Sequence, residues 1–257
     1  MSEAVCEICG GTGWEVLSEE GVSRARRCSC FHVSATTDKL YSAARIPVRF
    51  NACEFDNYVP DPKSFSQVRA KKMAMKYAES YPVLDDEIFR EASLLFSGMS
   101  GLGKTHLAIA VLKSLMKKGI RCLFVDFHEL LTDIRNSYDE LSRTSEHQIL
   151  RPILNMDVLL LDDLGSQRMT DWMQDTVFYI VNWRYNQKKP IIVTTNLGME
   201  PTRASAQETL QDRLGYRVVS RLYEMCTAIE LDGPDFRKEV RKAGSDFLRN
   251  RGEAGSS

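Results

Sequence analysis

The sequence predicts an α/β protein, a parallel sheet flanked by helices, and three observations carry that prediction. From Ser93 onward, short apolar runs alternate with amphipathic helical patterns. The glycine-rich stretch SGMSGLGKT (97–105) ends one apolar run and opens a helical pattern. Two further runs, VLLLDD (158–163) and PIIVTTN (190–196), end in polar residues, as strands do when they feed a site at their C-terminal ends.

Each element follows from its own pattern. ASLLFSG (92–98) reads as a strand entering the glycine-rich loop. KTHLAIAVLKSLMKKG (104–119) has apolar residues at helical spacing, and Gly119 closes it. IRCLFVDF (120–127) is the next strand, and HELLTDIRNSYDELS (128–142) and SEHQILRPILN (145–155) are helices. DVLLLDDLG (157–165) is a strand buried on both faces, because its apolar run is continuous. DWMQDTVFYIVNWRYNQK (171–188) is a helix and PIIVTTN a strand. ETLQDRLGYRVVSRLYEM (208–225) reads as one helix and CTAIELDG (226–233) as the last strand.

Composition divides the chain into a cysteine-rich module (1–33), a polar, helix-leaning segment (34–92), the α/β core (93–242) and a charged tail ending in Gly and Ser (243–257). The formal net charge is −1, so nucleic-acid contact would have to come from local patches. No apolar run reaches membrane-spanning length and the N-terminus shows no signal-peptide core, which suits a cytoplasmic protein. Four of the seven cysteines precede residue 31. In a cytosolic chain that clustering favours metal over disulfides. Cys53, Cys122 and Cys226 sit beside apolar residues and read as core thiols.

Gly98, Gly103, Lys104 and Thr105 fit G-x-x-x-x-G-K-[ST]. The glycines let backbone N–H groups turn inward around the β- and γ-phosphates of a nucleotide, and the following helix adds its positive end. The nucleotide-contacting stretch is therefore Gly98, Met99, Ser100, Gly101, Leu102, Gly103, Lys104, Thr105 and His106. Lys104 would bridge the phosphates and the Thr105 hydroxyl would ligate Mg²⁺. Asp162, at the tip of a buried strand, is the second Mg²⁺ residue, directly or through water. Asp163 is the candidate to orient or deprotonate the attacking water, where many ATPases carry Glu. The shorter side chain predicts hydrolysis that is slow or waits on a partner. Asn196 would hold the water against the γ-phosphate; its other use is in the turn NLG. Arg217 and Arg221 share one helix face, either solvated or projecting into a neighbouring subunit's nucleotide.

CEICGGTGWEVLSEEGVSRARRCSCF (6–31) places Cys6 and Cys9, then Cys28 and Cys30, at the spacing of a zinc ribbon, with His32 in reserve as the fourth ligand. So short and polar a stretch has little core of its own and would draw its stability from the metal. Trp14 with Arg24, Arg26 and Arg27 would give the ribbon a face for single-stranded DNA, or the ribbon docks a protein, which is the favoured use.

The phosphate loop, VLLLDDLG, TTN and RLGYRVVSRLYEM together resemble the AAA+ ATPases of the DnaC/DnaI helicase-loader and IstB transposition-helper group. ARIPVRFNACEFDNY (44–58) is similar to that group's segment near the adenine, VDFHELLTDIRNSYD to its extra helical region, and RLYEMCTAIELDGPDFRKEVR to its C-terminal end. The resemblance spans roughly residues 40 to 242. It implies a P-loop AAA+ fold and an ATP-dependent loader with ATP and Mg²⁺ as cofactors. It also implies contact with single-stranded DNA and a replicative helicase, and oligomerisation in the ATP state. By motif position it makes Arg221 an arginine finger acting in trans, with Arg217 its basic neighbour. Only about 20 residues follow GPDFR, too few for a full three-helix lid. Some loaders carry a metal-binding N-terminal domain that engages the helicase, and residues 1–33 look similar.

The leading reading is a helicase loader, and an IstB-like helper of a transposase is the alternative. A small-molecule kinase would need a lid and a second-substrate pocket, neither of which the sequence suggests. A zinc-binding DNA adaptor with a purely structural nucleotide would not need Lys104 or Asp163.

Overall fold

The computed structural model describes residues 14–19, 22–27, 38–81, 93–138, 144–199 and 208–238. An antiparallel hairpin comes first, β1 (Trp14–Glu19) and β2 (Val22–Arg27), in a register that sets Trp14 opposite Arg27. The core that follows contains α1 (38–43), a 3₁₀ turn at Val48–Phe50 and α2 (Phe65–Ser80). Then come β3 (Ser93–Ser97), α3 (Lys104–Lys117), β4 (Cys122–Asp126), α4 (Phe127–Asn136), α5 (Glu146–Asn155) and β5 (Val158–Asp162). The core ends with α6 (Asp171–Asn186), β6 (Ile191–Thr194), α7 (Leu210–Leu214), α8 (Tyr216–Met225) and β7 (Cys226–Glu230).

The five core strands form a parallel sheet in the order β4-β5-β6-β3-β7. Successive strand residues point to opposite faces, so one strand feeds two cores. Leu94, Phe96, Val158, Leu160 and Ile192 pack with α3 and α2, together with Cys53, Tyr58 and Cys122. Leu95, Leu159, Leu161, Ile191 and Val193 face α4, α5, α6 and α8. Every residue of β3, β5 and β6 is buried, as their continuous apolar runs require. Cys53, Cys122 and Cys226 are free and buried, as their apolar neighbours suggest.

Several helix starts carry side-chain caps. Asp126 accepts from the His128 and Glu129 amides at the head of α4, and Ser145 with Gln148 forms a capping box on α5. Two helical expectations need correction. The helix expected over 128–142 ends at Asn136. The single helix expected over 208–225 is two, α7 and α8, because Gly215 adopts φ 78° and ψ 157°, outside the helical range.

One buried cation holds the lower end of the sheet together. Arg184 of α6 is fully buried and donates to the carbonyls of Ile153 (2.9 Å), Met156 (3.1 Å), Asp157 (3.2 Å) and Pro190 (2.5 Å). It thereby joins the C-terminus of α5 to the starts of β5 and β6, where the helix dipole favours positive charge. Burial brings its guanidinium down to about 10. Among the described residues no helix is long and apolar enough to cross a membrane.

Candidate nucleotide site

Because all five strands run parallel, β3, β5 and β6 deliver their C-terminal ends to one edge. There the phosphate loop, Asp162, Asp163 and Asn196 meet around a cleft of about 820 Å³. Gly98, Gly101 and Gly103 have φ of 132°, 83° and 82°, conformations that exclude most side chains. A Cβ on Gly98 would strike the Leu231 carbonyl, and one on Gly101 the Asp235 side chain. Ser100 through His106 line the cleft; Met99 points to solvent.

Lys104 is buried and donates three hydrogen bonds, to the carbonyls of Gly98 and Met99 (2.7 Å each) and to Asn196 Oδ1 (2.8 Å). Burial brings its ammonium down to about 8, opposed by the charges of Asp163 and Asp162. Asp162 Oδ1 accepts from Thr105 Oγ1 (2.8 Å) and Thr194 Oγ1 (2.6 Å). Burial pushes its carboxyl up, and these two hydroxyls pull it back. Thr105 and Asp162 are hard oxygen donors already side by side, which fits Mg²⁺. Asp163 stands in the left-handed region at φ 58°, with its amide on Thr194 Oγ1 (2.9 Å) and its Oδ1 accepting from Asn196 Nδ2 (2.7 Å). That conformation turns the Asp163 side chain from the strand toward Asn196.

One wall of the cleft is built by residues 44–62, which cross the face of α3. Ala44 O accepts from Phe124 N at 2.8 Å, and Phe50 packs against Phe124 with ring centroids 6.1 Å apart. Tyr58 donates to Leu102 O at 3.1 Å. From the other end of the chain, residues 231–238 fold over the loop: Leu231 N donates to Ser97 O (2.9 Å) and Phe236 N to Gly101 O (3.2 Å). Phe236 and Arg237 thus line the cleft as well.

Arg217 and Arg221 do not line this chain's own cleft. They lie on α8, which packs on α6. Arg221 is stacked over Phe178 at 4.8 Å and donates Nε–H to Asn182 Oδ1 at 2.9 Å, while Arg217 is exposed. Cys6, Cys9, Cys28, Cys30 and His32 lie outside the described residues. Among the described residues no group of three or more His, Cys, Asp or Glu side chains could hold a metal ion. The motif reading does not single out Tyr58, Thr194 or Arg237. Each nonetheless falls inside a stretch that carries the family resemblance: Tyr58 ends ARIPVRFNACEFDNY, Thr194 opens TTN and Arg237 follows GPDF.

The family described as IstB-like ATP binding protein matches residues 83–244. The replicative helicase loader DnaC of Escherichia coli (strain K12) is 28% identical over 206 residues, covering 79% of this chain and 80% of that protein. A crystal structure of the DnaC helicase loader superposes with a TM-score of 0.60 at 36% identity, over 72% of this chain and all of that one. A DnaI crystal structure shares the fold, with a TM-score of 0.58 at 23% identity over 75% of this chain and 94% of its own.

Proposed function

The chain belongs to the IstB-like, DnaC-type family of ATP-binding proteins, and from that premise we propose that it is an ATP-dependent loader of a replicative helicase onto DNA. One observation carries the ATPase part: Lys104, Thr105, Asp162, Asp163 and Asn196, from three separate stretches of chain, converge on one cleft through direct hydrogen bonds. The likeness to DnaC carries the loader part.

In this reading Lys104 leaves its loop carbonyls to bridge the nucleotide's phosphates, and the loop amides and the α3 N-terminus take the remaining charge. Thr105 and Asp162 would hold Mg²⁺, which neutralises phosphate charge when bound. Asn196 and Asp163 orient the attacking water, and Asp163 accepts its proton. Arg221 reaches the γ-phosphate of a neighbouring copy, so ATP links subunits and hydrolysis releases the link. The nucleotide then switches an assembly.

Cys6, Cys9, Cys28 and Cys30, with His32 in reserve, would hold zinc in a module that docks the helicase. The β1–β2 register is compatible with the ribbon alone: residues 14 and 27 pair, so the chain enters and leaves the hairpin at one end. Zinc content of the full chain, with and without a Cys6/Cys28 double serine substitution, tests the ligand set.

The deciding experiment is co-purification with the replicative helicase of the same host, in ATP and in ADP, with residues 1–33 present or deleted. Retention that needs those residues supports the loader and assigns the module. No retention in either nucleotide removes the loader reading, and the resemblance to IstB transposition helpers then makes a transposase the partner to test.

A further inference from the structure

The segment 44–62 that walls one side of the cleft is tied to the phosphate loop by two side chains, those of Tyr58 and His106; any contact of His106 with phosphate is through its backbone N–H, which a side-chain substitution leaves in place. The Tyr58 hydroxyl holds the Leu102 carbonyl, and the Tyr58 ring lies so close to Gly103 that an added Cβ there would come within 2.5 Å of Cε2. His106, in the first turn of α3, meets Glu54 O through Nε2 at 2.9 Å. A carbonyl only accepts, so Nε2 carries the proton. The two rings stand edge to face, 5.4 Å apart.

The same face of α3 continues the attachment. Lys113, seven residues on, is buried and donates to Asn51 O at 2.5 Å. Lys113 and Lys117 each approach the Glu54 carboxylate at 3.4 Å. Between these anchors the segment presents Arg49, Phe50 and Asn57 to the cleft, with Arg49 lying 4.4 Å over the Phe50 ring. A flat apolar ring and a guanidinium recognise a nucleobase by stacking and edge hydrogen bonds, while Asn57 braces the segment itself, accepting from Glu54 N and donating to Ala52 O.

We infer that Tyr58 and His106 latch this base-reading segment onto the phosphate loop and thereby set which nucleobase the cleft selects. They are positioning residues, and the inference rests on the ATP-binding reading. Base and phosphates are read by stretches more than forty residues apart in the chain, Glu54 against His106 being 52 residues. A base contact adds affinity only where its segment is already ordered; otherwise the entropy of ordering it offsets the gain. The phosphate loop is also supported from the other side, by Leu231 and Phe236, and does not depend on the latch alone.

The test is the binding of ATP, GTP and inorganic tripolyphosphate to the full chain and to Tyr58→Ala, Tyr58→Phe, His106→Ala and His106→Gln. The wild type is expected to prefer ATP over GTP by about tenfold or more, a modest difference in contact energy. The alanine variants should weaken ATP about tenfold and bring the ATP/GTP ratio close to one, with tripolyphosphate affinity unchanged within about threefold. Tyr58→Phe keeps the ring against Gly103, and His106→Gln keeps a donor, so both should retain most of the preference. Should Tyr58→Ala fail to fold, the His106 pair carries the comparison. Equal weakening of all three ligands, or an undiminished ATP/GTP ratio in the alanine variants, overturns the latch. So does a wild type that binds both nucleotides alike. A wild type that binds tripolyphosphate and neither nucleotide instead overturns the ATP reading on which the latch rests.

Discussion

Asn196 donates its amide to Asp163 Oδ1 at 2.7 Å, and its own Oδ1 accepts from Lys104 Nζ at 2.8 Å. One side chain thereby joins the residue proposed to bridge phosphates to the residue proposed to take a proton. The two roles should separate on substitution. Asp163→Asn keeps the shape and removes the base, so turnover should fall about 10²-fold or more with ATP affinity nearly unchanged. Lys104→Ala should lose ATP binding itself. Single-turnover hydrolysis beside equilibrium binding reads both, and an Asp163→Asn protein that hydrolyses normally would remove Asp163 from the chemistry.

Arg221 is held by Asn182 and Phe178, whereas among the described residues the Arg217 side chain has no partner. In the proposed trans role an arginine must be aimed before the neighbour arrives, and this tether would supply that aim. Arg221→Ala should lower hydrolysis in the assembled state by up to about 10³-fold, the lower end of what such an arginine supplies. Arg221→Lys should not restore it, because an ammonium lacks the planar fork and the stacking face. Mixing Arg221→Ala with Lys104→Ala protein should recover part of the activity, each contributing what the other lacks. No recovery would place Arg221 outside the neighbour's site.

Arg184→Met removes a buried cation and strands several carbonyls at the ends of α5, β5 and β6. The expected loss is roughly 3 kcal/mol, since each unsatisfied buried acceptor costs about 1–3 kcal/mol. For a domain of this size that is a fall in Tm on the order of 6–12 °C. ATP affinity at low temperature should be unaffected, because these contacts lie at the end of the sheet away from the cleft. A thermal melt within a degree of wild type would show that the ends of the strands are held by other means.

Burial pushes the phenols of Tyr41, Tyr58 and Tyr81 up from 10.0 to about 12. The folded chain keeps the proton where the unfolded chain would release it. The associated stability is complete below pH 10 and is lost as pH rises toward 12. Lys104, whose ammonium burial brings down to about 8, acts in the opposite sense and adds stability from about pH 8 upward; the melting temperature should therefore hold or rise up to about pH 10 and fall above it, in step with the phenolate absorbance. Tyr58→Phe should make that fall shallower. A decline beginning below pH 9 would point to groups other than these phenols.

Residue order alone determined most of the core elements and the position of the glycine-rich loop. The strand over 92–98 and the helix from Lys104 are found within two residues of their expected ends, because alternation, helical spacing and a glycine stop are local properties. Asp162, Asp163 and Asn196 were legible because they interrupt apolar runs where a parallel sheet opens. Gly215 shows the limit: its amphipathic surroundings continue across it, and only its backbone conformation ends α7 and begins α8.

Tertiary structure decided what these residues meet. Tyr58 reaches Leu102 across 44 positions, Lys104 reaches Asn196 across 92, and Ser64 holds the Asp232 carbonyl across 168. Strand order, the path of residues 44–62 over α3 and the return of residues 231–238 to the phosphate loop arise from packing two apolar faces of one sheet. No periodicity within a segment records which distant segment will cover it. Local pattern sets what each stretch can become, and the burial of shared surface selects which stretches come together.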